Sequence, residues 1–176
     1  MQRNEYLALR RAFEPSNVRL VIVAESPPAA GRYFYNPNGK ASEPLFTALM
    51  KQLGIQTKTK ANGLRQFKEG GLVLVDATYD PVDKLSESQC KRVILRDYAV
   101  LSDDLKQLLG TQWRETPLVL IKKNVCQFLE PMLKETGFNV LNKGRDIYFP
   151  GSGQQGKFHE QFSEIVPQEL RGLARD

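Results

Sequence analysis

Apolar positions along the chain fall into two kinds of pattern. Residues 20–24, 71–77 and 117–121 contain short unbroken runs rich in β-branched residues, each ending at a polar position. Such runs are long enough for a buried strand and too short for a helix of that hydrophobicity. Between them apolar residues recur at helical spacing. Leu7, Leu9, Ala12 and Phe13 predict a short helix over 4–13, before the turn Pro15-Ser16-Asn17. Ser42-Glu43-Pro44 opens a second helix with proline in its first turn, carrying Leu45, Phe46, Leu49, Met50 and Leu53, with Gly54 just past its end. Residues 58–67 are basic and read as a loop running into a short helix.

From Ser86 through about Leu109 the spacing of Val93, Ile94, Tyr98, Leu101, Leu105 and Leu108 predicts one long helix. The Lys122-Lys123-Asn124 turn leads into a helix with Val125, Phe128, Leu129 and Leu133, with a kink expected at Pro131. Residues 138–141 and 147–149 are short strand candidates, 150–156 is a glycine-rich loop, and a helix is expected from Lys157. Strands alternating with helices predict an α/β fold, a three-layer α/β/α sandwich with a short central parallel sheet. The three strongest strands are expected as parallel neighbours.

In such sheets ligands gather beyond the carboxyl ends of the strands. The first run ends in Glu25-Ser26-Pro27-Pro28 and a loop carrying Tyr33, Phe34 and Tyr35 between Gly31 and Gly39. The second ends in Asp76, then Thr78-Tyr79-Asp80-Pro81. A polar pair, an aromatic platform and a carboxylate thus fall where a ligand is expected. Packing of the aromatics on the core is the plainer role for that loop, and capping of the following turn is the plainer role for Asp76.

Length and composition add bounds. The chain of 176 residues is expected to form one domain over 1–176, with 41% hydrophobic and 26% charged residues, ordinary for a soluble globular protein. No run approaches a membrane span, and Met1-Gln2-Arg3-Asn4-Glu5 lacks the apolar core of a signal peptide. Cys90 and Cys126 fall in helical patterns and read as reduced core thiols in a cytoplasmic protein, with no cysteine–histidine cluster spaced for a metal and no cofactor implied. A net charge of +5 permits a polyanionic partner, and Arg32, Lys40 and Lys157 flank the candidate loops. The oligomeric state is not readable.

The order of elements and loops from about Arg19 to Phe162 resembles the uracil-DNA glycosylase superfamily. Its first motif closes strand one with a Gly-x-polar-Pro pattern, and Ala24-Glu25-Ser26-Pro27-Pro28 is similar. Gly31-Arg32-Tyr33-Phe34, followed by Gly39 and the leucine-rich helix, is similar to the segment whose Phe stacks on an extruded base. Asp76 stands where the family has an Asn reading the base edge, and Phe149-Pro150-Gly151-Ser152 where it has His-Pro-Ser. The chain departs from the family at Ser26, in place of the usual water-orienting Asp or Asn, and in lacking the motif histidine; its one histidine is His159.

The resemblance implies a single glycosylase-like domain acting on a flipped modified or mismatched base by hydrolysis of the N-glycosidic bond, with DNA as partner. Glu25 and Ser26 are then the candidates to position water, Phe34 or Tyr35 to stack on the base, and Asp76 to read its edge. Backbone amides of Gly151, Ser152, Gly153 and Gln154, with Lys157, suit the phosphate. An ionised Asp76 only accepts hydrogen bonds. It would disfavour uracil, whose O4 is an acceptor, and suit cytosine or guanine, unless its carboxyl is protonated.

Two other readings stand beside this one. Missing motif residues are also what a catalytically inactive nucleic-acid or nucleotide-binding module of the same fold would show. Gly151 through Lys157 matches Gly-x4-Gly-Lys of a phosphate loop, but Phe158 stands where Ser or Thr should ligate magnesium.

Overall fold

The computed structural model describes residues 1–172. Its centre is a four-stranded parallel sheet formed by β1 (Leu20–Ala24), β2 (Leu72–Asp76), β3 (Pro117–Leu120) and β4 (Asn139–Val140), in the order β2-β1-β3-β4. Leu20 pairs with Leu72 through to Ala24 with Asp76, and Val21 to Val23 pair with Leu118 to Leu120. The three apolar runs are therefore parallel neighbours, as their pattern predicts.

Strand side chains alternate between faces, and both faces are covered. Leu20, Ile22, Leu72, Leu74 and Val119 pack under α1 (Arg3–Arg11), α2 (Pro44–Gln52), α3 (Lys60–Glu69) and α7 (Gln155–Ile165). Val21, Val23, Val73, Val75 and Leu120 pack under α4 (Glu87–Arg96), α5 (Tyr98–Leu109) and α6 (Lys123–Thr136). A short α8 (Gln168–Arg171) follows. The result is a three-layer α/β/α arrangement. Sheets buried on both faces read as continuous rather than alternating apolar runs, which is why these strands were conspicuous.

Several expectations need correction. The helix over 86–109 is two helices, α4 and α5, broken at Asp97. There the Asp97 carboxylate accepts from Arg96 Nε at 2.7 Å and from Thr78 Oγ1 at 2.6 Å, tying the break to the loop after β2. Residues 147–149 form no strand: Ile147 accepts the Lys122 amide at 2.8 Å, but the Tyr148 amide is taken by the side chain of Gln161. The last strand shrinks to two residues for a related reason. The buried Asn142 side chain accepts from the Leu120 amide at 2.8 Å and donates to the Leu120 carbonyl at 3.0 Å, standing in for a longer β4. The helix at 58–67 begins at Lys60, capped by Thr59, and α7 starts at Gln155 rather than Lys157.

Candidate functional site

Beyond the carboxyl ends of β1 and β2 lies a cavity of about 380 Å³, within the size range of small-molecule sites. Glu25 and Asp76 both line it, from adjacent strands. The pairing continues past the strands, with the Ala77 amide on the Ala24 carbonyl at 2.8 Å and the Thr78 amide on the Glu25 carbonyl at 3.2 Å. Strand alternation then sends the two carboxyls to opposite faces. Asp76 shares its phase with Leu72 and Leu74, whereas Glu25 shares the phase of Val21 and Val23.

Glu25 is buried but fully partnered. Lys122 Nζ donates to one oxygen, and Asn124 Nδ2 to the other. Cys90 Sγ lies 3.4 Å from that second oxygen. Desolvation first, and Glu25 second, push the Cys90 thiol up to about 11, so it is no thiolate nucleophile. Lys122 sits one residue past the third apolar run and reaches Glu25 from the same face as Leu118 and Leu120. Its backbone is held at φ 80°, a conformation that side chains other than glycine rarely adopt. The chain fixes it there by the Lys122 amide on Ile147 and the Lys122 carbonyl on Cys126. Such strain is found where a side chain must be aimed.

Asp76 is the opposite case. It is 4% exposed, and its Oδ2 has no hydrogen-bond partner among the described residues. Around it are aromatic rings: Tyr33 packs edge-on to Tyr6 at 4.8 Å and to Tyr35 at 5.8 Å. The cation that acts on it, Arg10, is bidentate to Asp104 at 2.7 and 2.8 Å and also meets Tyr79 and Glu14. Burial raises the Asp76 carboxyl to about 7, with Arg10 pulling weakly the other way. The Tyr33 hydroxyl is also buried and without a partner among the described residues, and burial raises it far above its ordinary range.

The aromatic loop is held from below. Lys60, only 1% exposed, donates to the Tyr33 carbonyl at 2.7 Å and to Glu43 at 2.6 Å. Desolvation lowers this amine and Glu43 opposes the shift. A β-carbon on Gly39 would lie 2.7 Å from Glu43 Oε1 and 2.9 Å from Lys60 Nζ, so a side chain there would force the ends of this pair to shift.

The expected site residues separate. Glu25, Ser26, Phe34 and Asp76 line the one cavity, with Tyr33 and Phe46. Ser26 Oγ accepts the Val82 amide at 3.2 Å, fastening the loop after β2 to that after β1. Tyr35 is fully buried away from the cavity. Its hydroxyl accepts the Leu74 amide at 2.7 Å and donates to the Leu74 carbonyl at 3.0 Å, which satisfies the outer side of edge strand β2. Phe149, 41% exposed, lines the cavity where the resemblance would put a histidine.

Gly151, Ser152, Gly153, Gln154 and Lys157 do not line the cavity; they follow Phe149 in a turn closed by the Gln154 amide on the Gly151 carbonyl. Lys157 Nζ lies 4.6 Å from the Tyr148 ring centre. No strand precedes this turn, so it lacks the strand–loop–helix frame of a phosphate-binding NTPase loop. His159 is in α7, its Nδ1 2.8 Å from Gln52 Nε2, away from the cavity; burial lowers its basicity.

The sequence pattern marks Lys122 and Asn124 only as a turn and Tyr33 only as part of the aromatic loop, and gives none of the three a role at the site. Lys122 was reachable by the rule that found Glu25 and Asp76, because it closes the third apolar run. Among the described residues no cluster of three His, Cys, Asp or Glu is placed to hold a metal ion, and no helix is long and apolar enough to cross a membrane. Comparison of the chain with protein-family models, curated proteins and solved structures returned no match.

Proposed function

We propose that this chain is a divergent relative of the uracil-DNA glycosylases that takes a flipped modified or mismatched base into the cavity and hydrolyses its N-glycosidic bond. The observation that carries this reading is the pairing of one ion-paired and one unpartnered carboxyl, with an aromatic wall, in one base-sized cavity at the strand ends. Phe34 offers the ring face and Asp76 the group that reads the base edge. Glu25 orients water toward the cationic sugar, with the Ser26 hydroxyl beside it. The Lys122 ammonium supplies the positive charge that a departing base anion needs, in place of the motif histidine. The turn at Gly151 to Gln154 and Lys157 is assigned to the flanking phosphate, and the setting to the cytoplasm, with both thiols reduced.

Cleavage should be slow, since the motif histidine is missing and Lys122 is already paired to Glu25, and such general-acid and electrostatic help typically contributes a factor of about 10² to 10⁴. The test is a gel-based screen over oligonucleotides bearing uracil, hypoxanthine, xanthine and mismatched bases, with binding measured in parallel at two salt concentrations. Cleavage of at least one base, lost in Glu25→Gln with DNA binding retained, supports the reading. An unchanged rate in that variant removes Glu25 from the mechanism. DNA binding should weaken as salt rises, because phosphate contacts release counterions.

A second reading, a binding module without catalysis, is favoured by one observation: both Glu25 oxygens are already engaged by Lys122 and Asn124. Base and DNA binding without cleavage of any of these substrates would select it.

A further inference from the structure

Resting on the cavity being a base site, we propose that the proton on Asp76 decides which base edge the site accepts, with the Tyr33 hydroxyl as a second, fixed donor. The protonated carboxyl takes a lactam or imide edge, as in uracil or hypoxanthine, and the ionised one takes a guanine-type edge of two donors. Asp76 is then the residue that determines specificity, and the specificity is reversible.

The geometry is that of a reader left without its object. Asp76 lines the cavity from the end of β2, and among the described residues its Oδ2 and the Tyr33 hydroxyl are the fully enclosed side-chain polar atoms without a partner. A buried polar atom without a partner costs roughly 1–3 kcal/mol, and two such side chains, Asp76 and Tyr33, line this one cavity, where a ligand could satisfy both. A neutral carboxyl has one O–H donor and one acceptor oxygen, matching the N–H and C=O of an imide. A carboxylate has acceptors only, matching the ring N–H and amino group of guanine and repelling the O4 of uracil.

The surroundings determine where the proton leaves. From α1, Tyr6 faces Asp76, and Arg10 is committed to Asp104 of α5 and Glu14. From the loops come Tyr33, Tyr35 and Tyr79, whose hydroxyls burial keeps protonated. Behind Asp76 a second cavity of about 230 Å³ carries Arg3, Asp80, Arg96 and Asp97. Arg96 there is paired to Asp80 and Asp97. Across the first cavity Lys122 is paired to Glu25. Arg3 and Arg32 also line the two cavities without an ion-pair partner among the described residues, but the cation that acts against burial at Asp76 is Arg10, and burial prevails, raising the carboxyl to about 7.

The test is NMR titration of the protein with uridine and with guanosine at pH 6 and pH 8. Apparent affinity scales with the fraction of protein in the competent state. Uridine affinity should fall about tenfold across this range, while guanosine affinity rises by a similar factor. Asp76→Asn keeps shape, donor and acceptor without the titration, so its uridine affinity should be the same at both pH values. Tyr33→Phe should weaken uridine binding several-fold at both.

Parallel pH responses of the two nucleosides, or an unaltered response in Asp76→Asn, would overturn the proposal and leave the glycosylase reading standing. Opposed responses without base release in the cleavage screen would uphold the proposal and end the enzymatic reading. Binding of neither nucleoside at either pH would overturn both the proposal and the assignment of the cavity to a base.

Discussion

Glu25 and Asp76 end adjacent strands, touch the same cavity and are nearly equally hidden, at 8% and 4% exposed, yet their environments are opposite. The difference begins with a period of two. Glu25 falls in phase with the valines of β1 and meets α4 and the start of α6, which offer Cys90, Asn124 and Lys122. Asp76 falls in phase with Leu72 and Leu74 and meets tyrosines. Glu25 meets an ammonium and an amide that engage both its oxygens, whereas burial among phenol rings raises the Asp76 carboxyl to about 7. Shifting either strand by one residue would exchange the two surroundings. The site therefore holds one carboxyl that is ion-paired and one that is unpartnered, set by register rather than by residue type.

The largest effect expected from this contrast is on stability. Burial raises Asp76 from an ordinary value of 3.8 to about 7. The folded chain thus holds this proton more tightly than the unfolded one. Its contribution to stability is full below the unfolded value, declines between about pH 4 and 7, and is flat above. Each unit corresponds to about 1.4 kcal/mol. Asp76→Asn removes this dependence. Relative to the natural chain, the variant should gain about 2–3 kcal/mol between pH 5 and pH 8, read from urea unfolding at both. A difference that stays constant with pH would mean that Asp76 ionises freely in the fold, and the contrast with Glu25 would collapse.

A smaller effect follows from making Glu25 resemble Asp76. Lys122→Met keeps the stem and removes the charge. Because the Lys122 side chain is 38% exposed and Asn124 still donates, the expected loss is about 1–2 kcal/mol, below the full cost of stranding a buried charge. Adding Glu25→Gln should restore most of it, since the second substitution removes the stranded charge. A double-mutant cycle with no coupling between the two positions would show the pair to be incidental.

Much of this was legible in the sequence, and the parts that were not have physical reasons. Buried parallel strands announce themselves as unbroken apolar runs, so β1, β2 and β3 and their parallel arrangement followed directly. The break at Asp97 did not, because helical spacing continues across it; only the distant Thr78 hydroxyl and the adjacent Arg96 hold it open. Tyr35 looked like a stacking ring because its neighbours were loop-like. Which of three adjacent aromatics faces a cavity depends on a backbone path pinned by Lys60, more than twenty residues away. The protonation of Asp76 is likewise a tertiary property. Arg10 is the natural counter-ion in its vicinity, and only the fold shows that guanidinium committed to Asp104.

The smallest effect separates the backbone of Lys122 from its charge. At φ 80° a β-carbon is crowded, a conformation costing of order 1–3 kcal/mol, whereas glycine adopts it freely but loses about 0.5–1 kcal/mol more entropy on folding. Lys122→Ala and Lys122→Gly both remove the ion pair with Glu25, so the difference between them reports the backbone alone. The glycine variant should be the more stable by about 1 kcal/mol, measured by chemical unfolding at one pH. That outcome would mean the chain accepts strain at this residue to carry a lysine to Glu25, which an ordinary surface ion pair would not warrant. Equal stability, or an advantage for alanine, would mean the turn after β3 is relaxed. Lys122 would then be at the cavity through the path of the chain, and its assignment to the departing base would rest on the ion pair alone.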